Sequence, residues 1–211
     1  QETCKTLPKF EKDWGNLKRY SSSNVQLIGS TPEVVFMGDS ITDRMNFSMF
    51  FPNKAYVNRG IGGQVTPQML VRFRSDVINL RPSVVVILGG TNDLKKLKGH
   101  RPVEGILENI KTMTELARVH DIQVVIASLL PVCGQAVNKR SPSDILEVNR
   151  LLSNYASQAG AIYLDYFDAV VGNDGLLRPE LTEDCVHVNE TGYAIMAPLA
   201  EAAIQKALQQ I

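Results

Sequence analysis

With 211 residues, 44% of them hydrophobic and 21% charged, the chain can bury a sizeable core in one domain and has the balance of a globular protein. Lys and Arg together number 22, matched by 22 Asp and Glu, so no overall field recruits nucleic acid or an anionic membrane surface. The longest apolar run, Val84 to Leu88 with two glycines after it, is far too short to cross a bilayer.

Residues 1–32 are polar, with Phe10, Trp14 and Leu17 at helical intervals, which predicts a covering helix and then an extended lead-in. The start at Gln1 without a methionine points to a processed precursor, and so to a secreted or periplasmic protein. A buried strand is predicted over 33–38, where four apolar residues in a row run into Gly38-Asp39-Ser40. A mixed helix or loop from Asp43 to Phe51 follows, then a turn at Pro52-Asn53. The second strand is expected from Ala55 to Asn58, ending in the glycine-rich run Arg59-Gly60-Ile61-Gly62-Gly63. From there a helix is predicted to about Leu80, with Thr66 as cap and Pro67 at its first position.

Val84 to Leu88 is the third strand and leads into Gly89-Gly90-Thr91-Asn92-Asp93. A helix over about 102–120, a strand over 122–127, a helix over about 143–158 and a strand over 161–164 come next. A long loop then carries Asp184 and His187 before a last helix from about Glu190 to Leu208. Strands that are continuously apolar and alternate with helices imply an α/β protein, its parallel sheet covered by helices on both faces. No repeat or linker divides the chain, so one domain over 1–211 is expected.

Ligand sites in open parallel sheets lie beyond the carboxyl ends of the strands. That rule gathers Ser40, Gly60 to Gly63, Asn92, Cys133 and the Asp184 loop at one edge. Gly38 lets the chain turn, so Ser40 stands at the strand end as a nucleophile would; as a bare tripeptide, Gly-Asp-Ser reads more readily as a turn whose Asp or Ser caps a helix, and the rest of the chain reverses that balance. Of three histidines, His120 falls at the opposite edge and His100 in a lysine-rich loop. His187 has Asp184 three residues before it, a spacing that lets a carboxylate hold Nδ1–H while Nε2 faces a serine. Asn189 is placed to cap the last helix. The glycine turns at 60–63 and 89–90 and the Asn92 amide are candidate oxyanion donors, although Asn92 also reads as a turn residue. The glycine run lacks the spacing of a phosphate-binding loop.

Cys4, Cys133 and Cys185 show no metal-site spacing and allow one intrachain disulfide. Cys133 and Cys185 both follow strand ends at the same edge, so a bond between them is the expectation; two reduced buried thiols, or a pairing through Cys4, stay open.

Gly38-Asp39-Ser40-Ile41, Gly63 within Gly-Ile-Gly-Gly-Gln, Gly90-Thr91-Asn92-Asp93 and Asp184-x-x-His187 resemble the four ordered blocks of the SGNH (GDSL) hydrolases. Within that family the chain is similar to compact bacterial esterases of the lysophospholipase and platelet-activating-factor acetylhydrolase type. The resemblance implies a flavodoxin-like three-layer α/β/α sandwich with strand order 2-1-3-4-5, and ester hydrolysis through an acyl-enzyme without cofactor or metal. Carried over, Ser40 is the nucleophile, His187 the base and Asp184 its orienter, with Ser40 N–H, Gly63 N–H and the Asn92 side chain as oxyanion donors. Where many members have His-Pro-Asn this chain has His187-Val188-Asn189, and Thr66 comes one residue late, which leaves Gly60 and Gly62 as reserve donors.

A serine esterase is therefore expected, acting on short acyl esters of carbohydrates or small alcohols, or on lysophospholipids. The same residues would serve an acyltransferase with a sugar or alcohol acceptor, and a silent carbohydrate-binding module is the remaining class. The pocket walls are expected from loops 43–52, 94–101 and 133–142; with no long insertion to form a lid, the site is expected to be shallow.

Overall fold

The computed structural model describes residues 13–96 and 102–211. Five parallel strands, Val34–Gly38 (β1), Tyr56–Gly60 (β2), Val84–Leu88 (β3), Gln123–Ala127 (β4) and Ile162–Leu164 (β5), form one sheet in the order β2-β1-β3-β4-β5. β1 lies between β2 and β3, with Gly38 level with Gly60 on one side and Leu88 on the other. Both β1 and β3 are buried along their whole length, as runs of Val and Ile between two helical layers should be.

Side chains alternate across the sheet and make two cores. Val34, Phe36, Val84, Val86, Leu88 and Val125 face one way, toward the last helix, Glu190–Leu208, which brings Met196, Ala200 and Ile204 against them. Val35, Met37, Val85, Ile87, Val124 and Ile126 face the other way. They meet Met69 and Phe73 of Thr66–Asp76, Ile106, Ile110 and Met113 of Pro102–Val119, and Ile145, Val148 and Leu152 of Pro142–Ala159. Each such side chain contributes roughly 1.5–3 kcal/mol on leaving water.

In chain order the helices are α1 (Ser21–Gln26), α2 (Ser40–Asp43), α3 (Phe47–Phe50), α4 (Thr66–Asp76), α5 (Thr91–Lys96), α6 (Pro102–Val119), α7 (Pro142–Ala159), α8 (Phe167–Val170) and α9 (Glu190–Leu208). No helix among the described residues is long and apolar enough to cross a membrane.

The structure departs from the sequence reading at several points. The expected N-terminal helix is reduced to α1. Before it the chain runs in turns, because Asp13 takes the N–H groups of Leu17 and Lys18, both at 2.9 Å, and Asn16 adopts a left-handed conformation. Trp14 and Leu17 are consequently exposed, and Phe10 lies outside the described residues. β2 runs two residues further, through Gly60. α4 stops at Asp76, and Ile78–Leu80 forms a single 3-10 turn that keeps Ile78 and Leu80 buried. Thr66 is inside α4 and not its cap. Its hydroxyl is drawn instead to Asp93 Oδ1 at 2.5 Å, and Gln68 Oε1 accepts from the Val65 N–H that begins the helix.

Cys133 and Cys185 form a disulfide that joins the loop after β4 to the loop before α9. Cys4 lies outside the described residues. The bridge closes a span of 52 residues, and restricting the unfolded chain to that extent contributes about 4 kcal/mol in the chain-entropy treatment. Replacing both cysteines by serine should therefore lower unfolding stability by about 2–4 kcal/mol in urea titrations. A change below about 0.5 kcal/mol would show that the bridge constrains little.

Candidate active site

β1 ends at Gly38 and the chain turns at once into α2. Asp39 caps that helix by accepting the Ile41 N–H at 2.9 Å, which makes Ser40 its first residue. α2 then lies across the ends of β1 and β2 with no room for a side chain beneath it. A Cβ at Gly38 would stand 2.1 Å from Thr42 Oγ1, and one at Gly60 would stand 2.1 Å from Asp43 N. Ser40 is thereby held half-buried at the carboxyl edge of the sheet.

The loop before α9 supplies the groups facing it. His187 Nε2 lies 2.8 Å from Ser40 Oγ, and His187 Nδ1 lies 2.5 Å from Asp184 Oδ2. With Nδ1–H donating to the carboxylate, Nε2 is left to accept the serine hydroxyl. Asp184 Oδ1 accepts the N–H groups of Val186 at 3.0 Å and His187 at 2.8 Å, so the carboxylate fixes both its own loop and the imidazole. Partial burial pushes Asp184 up. The His187 N–H and imidazole, with the Val186 N–H, outweigh that and hold the carboxyl down at about 2. Asp184 is therefore ionised near neutral pH.

Further contacts stiffen the same loop. Thr182 Oγ1 donates to His187 O at 2.7 Å and accepts from Cys185 N at 2.9 Å. Cys185 sits in the left-handed region, and its carbonyl accepts the Cys133 N–H beside the disulfide. Asn189 Oδ1 caps α9 through the Gly192 N–H at 3.1 Å. Arg44 approaches Asp184 Oδ2 only to 3.9 Å, from the exposed rim.

Two loops flank Ser40 on the other side. Position 62 is close enough that a Cβ there would be 3.9 Å from Ser40 Cβ. The Gly60 N–H donates to Asn58 Oδ1 at 2.8 Å and the Gly62 N–H to Asp43 Oδ2 at 3.0 Å, so both reserve donors are engaged elsewhere. Gly63 follows with φ 77, a conformation natural to glycine. Asn92, buried in the first turn of α5, donates through Nδ2 to Gln64 O at 3.0 Å, which ties the two flanking loops together.

Ser40, Asp184 and His187 are thus joined in one hydrogen-bonded line, with 60–64 and Asn92 beside it. His120 follows α6 at the opposite edge, and His100 lies outside the described residues. Among the described residues no cluster of His, Cys, Asp or Glu is arranged to hold a metal ion. The sequence reading missed Arg140. It is buried, donates from Nε to Thr91 O at 3.2 Å and attracts Asp39. Only the fold brings it there, from the loop before α7.

Asp39 is 1% exposed and its Oδ2 has no hydrogen-bond partner among the described residues. Burial raises its pKa to about 7, and nearby Asp93 adds to this, against the pull of the Ile41 N–H and Arg140. An acid whose pKa rises on folding stabilises the fold below its unfolded value, near 4, and that contribution is lost as pH climbs toward 7. Asp39→Asn keeps an acceptor for the Ile41 N–H and removes the charge. At pH 8 it should exceed wild type in stability by on the order of 1–3 kcal/mol, and at pH 4 the gap should vanish. A constant gap across that range in urea titrations would contradict a buried, pH-dependent charge.

Residues 36–195 match the family model described as GDSL-like lipase/acylhydrolase. The chain is 30% identical to the human platelet-activating factor acetylhydrolase IB subunit alpha1, over 85% of this chain and 78% of that one. A solved GDSL-like lipase from Bacteroides thetaiotaomicron superposes with a TM-score of 0.84 at 37% identity, covering 92% of this chain and all of that one. A solved structure from Bacteroides fragilis, assigned as an acylhydrolase, superposes at 0.86 and 39%, covering 94% and 100%. With its five-stranded sheet in the order 2-1-3-4-5, the chain belongs to the GDSL-like lipase/acylhydrolase family.

Proposed function

We propose that the chain is a serine esterase in which Ser40, His187 and Asp184 act as a catalytic triad. The observation that carries this reading is the unbroken line Ser40 Oγ to His187 Nε2 at 2.8 Å and His187 Nδ1 to Asp184 Oδ2 at 2.5 Å. Ser40 Oγ attacks the ester carbonyl carbon while Nε2 takes its proton. The tetrahedral oxyanion is held by the Ser40 N–H, the Gly63 N–H and the Asn92 amide. Collapse expels the alcohol, which receives the proton from His187. Water then attacks the acyl-enzyme, giving a proton to Nε2, and as the second intermediate collapses the C–Oγ bond breaks, that proton returns to Ser40 Oγ and the acid leaves. Asp184, charged throughout, keeps the imidazole in the useful tautomer and stabilises the imidazolium between the two transfers.

The substrate we favour has a short acyl group on a polar alcohol. The apolar gap beneath α2, between Phe36, Ile41, Met45, Leu88, Tyr166 and Met196, measures about 10 Å³. That is room for about one water, so no acyl chain enters the core there. Beside the triad loop a depression of about 270 Å³ is lined by Arg44, Glu183, Asp184, His187, Val188, Asn189 and Glu190. Polar groups of a sugar or similar alcohol suit such a lining. A relative named for removing an acetyl group agrees with the short acyl. Rates on p-nitrophenyl esters from acetyl to palmitoyl, with acetylated xylan and a lysophospholipid alongside, test this. A maximum at long acyl chains would refute it.

Ser40→Ala and His187→Ala should each lower kcat by roughly 10⁴–10⁶, with the double variant little worse than either. Asn92→Ala should cost on the order of 10²–10³ in kcat with little change in KM. A loss from Asn92→Ala confined to KM, or full activity in His187→Ala, would contradict these assignments.

A further inference from the structure

We infer that Arg72 is a positioning residue whose guanidinium, buried under the site, sets the spacing between the strand end that leads to Ser40 and the loop 60–64. The inference rests on the serine-esterase reading above, in which that loop helps to hold the oxyanion.

Arg72 is 0% exposed and lies on the core-facing side of α4, between Met69 and Phe73. An apolar side chain there would serve stability as well or better, since a buried ion pair rarely outweighs the cost of taking both charges from water. The pair with Asp76, Nη1 to Oδ2 at 3.0 Å, neutralises the charge but occupies one nitrogen only. Arg72 Nη2 donates to Gly38 O at 3.1 Å, and Nε donates to Gln64 Oε1 at 2.6 Å. Gly38 lies two residues before Ser40, and its carbonyl also accepts the Ile61 N–H at 3.0 Å. Gln64 closes the oxyanion loop, and its carbonyl accepts Asn92 Nδ2 at 3.0 Å. One planar group therefore binds the nucleophile's strand, the glycine loop and, through Gln64, the Asn92 amide. Lys could not replace it, because a single ammonium lacks three donors fixed in a plane.

The brace continues outward into a segment that precedes the matched family region of 36–195. Gln64 Nε2 donates to Gly15 O at 2.9 Å, and Asn24 Nδ2 donates to Asp76 Oδ1 at 2.7 Å. Arg59 Nε donates to Asn24 Oδ1 at 2.9 Å and its guanidinium stacks 4.6 Å from the Tyr20 ring centroid. The Tyr20 hydroxyl in turn donates to Gly60 O. Residues 13–26 thus hold the outer side of the loop whose inner side Arg72 holds. Oxyanion donors act through fixed geometry, so a loop displaced by a fraction of an ångström weakens the transition state and leaves ground-state binding nearly unchanged.

Arg72→Lys keeps a cation opposite Asp76, and Gln64→Met removes the link from the other end. Each should lower kcat by about 10–100-fold with KM within about threefold, per active site counted by fluorophosphonate titration. Affinity for an alkylboronic acid, which forms a tetrahedral anion on a serine, should fall by the same factor as kcat. A purely structural role would reduce the number of titratable sites and leave kcat per site and boronate affinity intact, and that result would overturn the inference. Tyr20→Phe, which removes one hydroxyl near the surface, should lower kcat by about 3–10-fold and keeps the test open if Arg72→Lys fails to fold. Wild-type kcat per site in Tyr20→Phe and Gln64→Met would equally overturn it. Ser40→Ala separates the two claims: if it still hydrolyses ester the triad reading fails, whereas an inactive Ser40→Ala beside a fully active Gln64→Met sinks the brace alone.

Discussion

Gly38 and Gly60 stand level in adjacent parallel strands; the Thr42 side chain of α2 packs on the first and the α2 backbone at Thr42 and Asp43 on the second. That contact is the constraint on which the site depends. A side chain at Gly60 would lift the α2 backbone from the sheet and carry Ser40 away from His187, and one at Gly38 would displace Thr42 beside it. The contact is possible because β1 lies inside the sheet, paired on both sides, so its end cannot shift to relieve crowding. Parallel pairing then brings the loops after β2 and β3 to the same edge, where 60–64 and Asn92 meet through one hydrogen bond.

Much of this was legible in the sequence. Continuous Val and Ile runs mark strands buried on both faces, and the rule that sites lie at carboxyl ends collects Ser40, Asn92 and the Asp184–His187 loop from the sequence alone. The N-terminal helix was misread because apolar spacing at Trp14 and Leu17 says nothing of the Asp13 carboxylate that captures two N–H groups and curls the chain. The buried polar network was not read at all, yet one sign of it was present. Arg72 and Asp76 sit four residues apart within the stripe formed by Met69 and Phe73, and a charged pair on an apolar face asks what it is bound to. Arg140 left no such sign, since its partners come from distant strand ends.

The electrostatics of the site divide two carboxylates by their surroundings. Asp184 is half exposed, ringed by N–H donors, and stays charged. Asp39, one residue from Ser40, is walled off from water, with one oxygen unpartnered among the described residues, and is pushed toward neutrality. In the proposed chemistry the first stabilises positive charge on His187. The second, if it kept its charge, would oppose negative charge forming at the neighbouring oxyanion. A carboxyl that sheds its charge on burial removes much of that opposition.

Asp184 and His187 share one short loop, bound to each other and pinned by the Cys133–Cys185 bridge, whereas Ser40 belongs to the sheet. In the proposed chemistry nucleophile and base thus sit on separate elements whose reactive contact is Ser40 Oγ to His187 Nε2, with the Tyr193 hydroxyl bonded to Ile41 O and Arg44 near Asp184 as the flanking ties. Strain, heat or a bulky ligand that parts those elements leaves the imidazole oriented and the serine seated, merely out of reach of one another. Loss of activity by that route is a disengagement, like a clutch, and reverses when the two close again without any element having to refold.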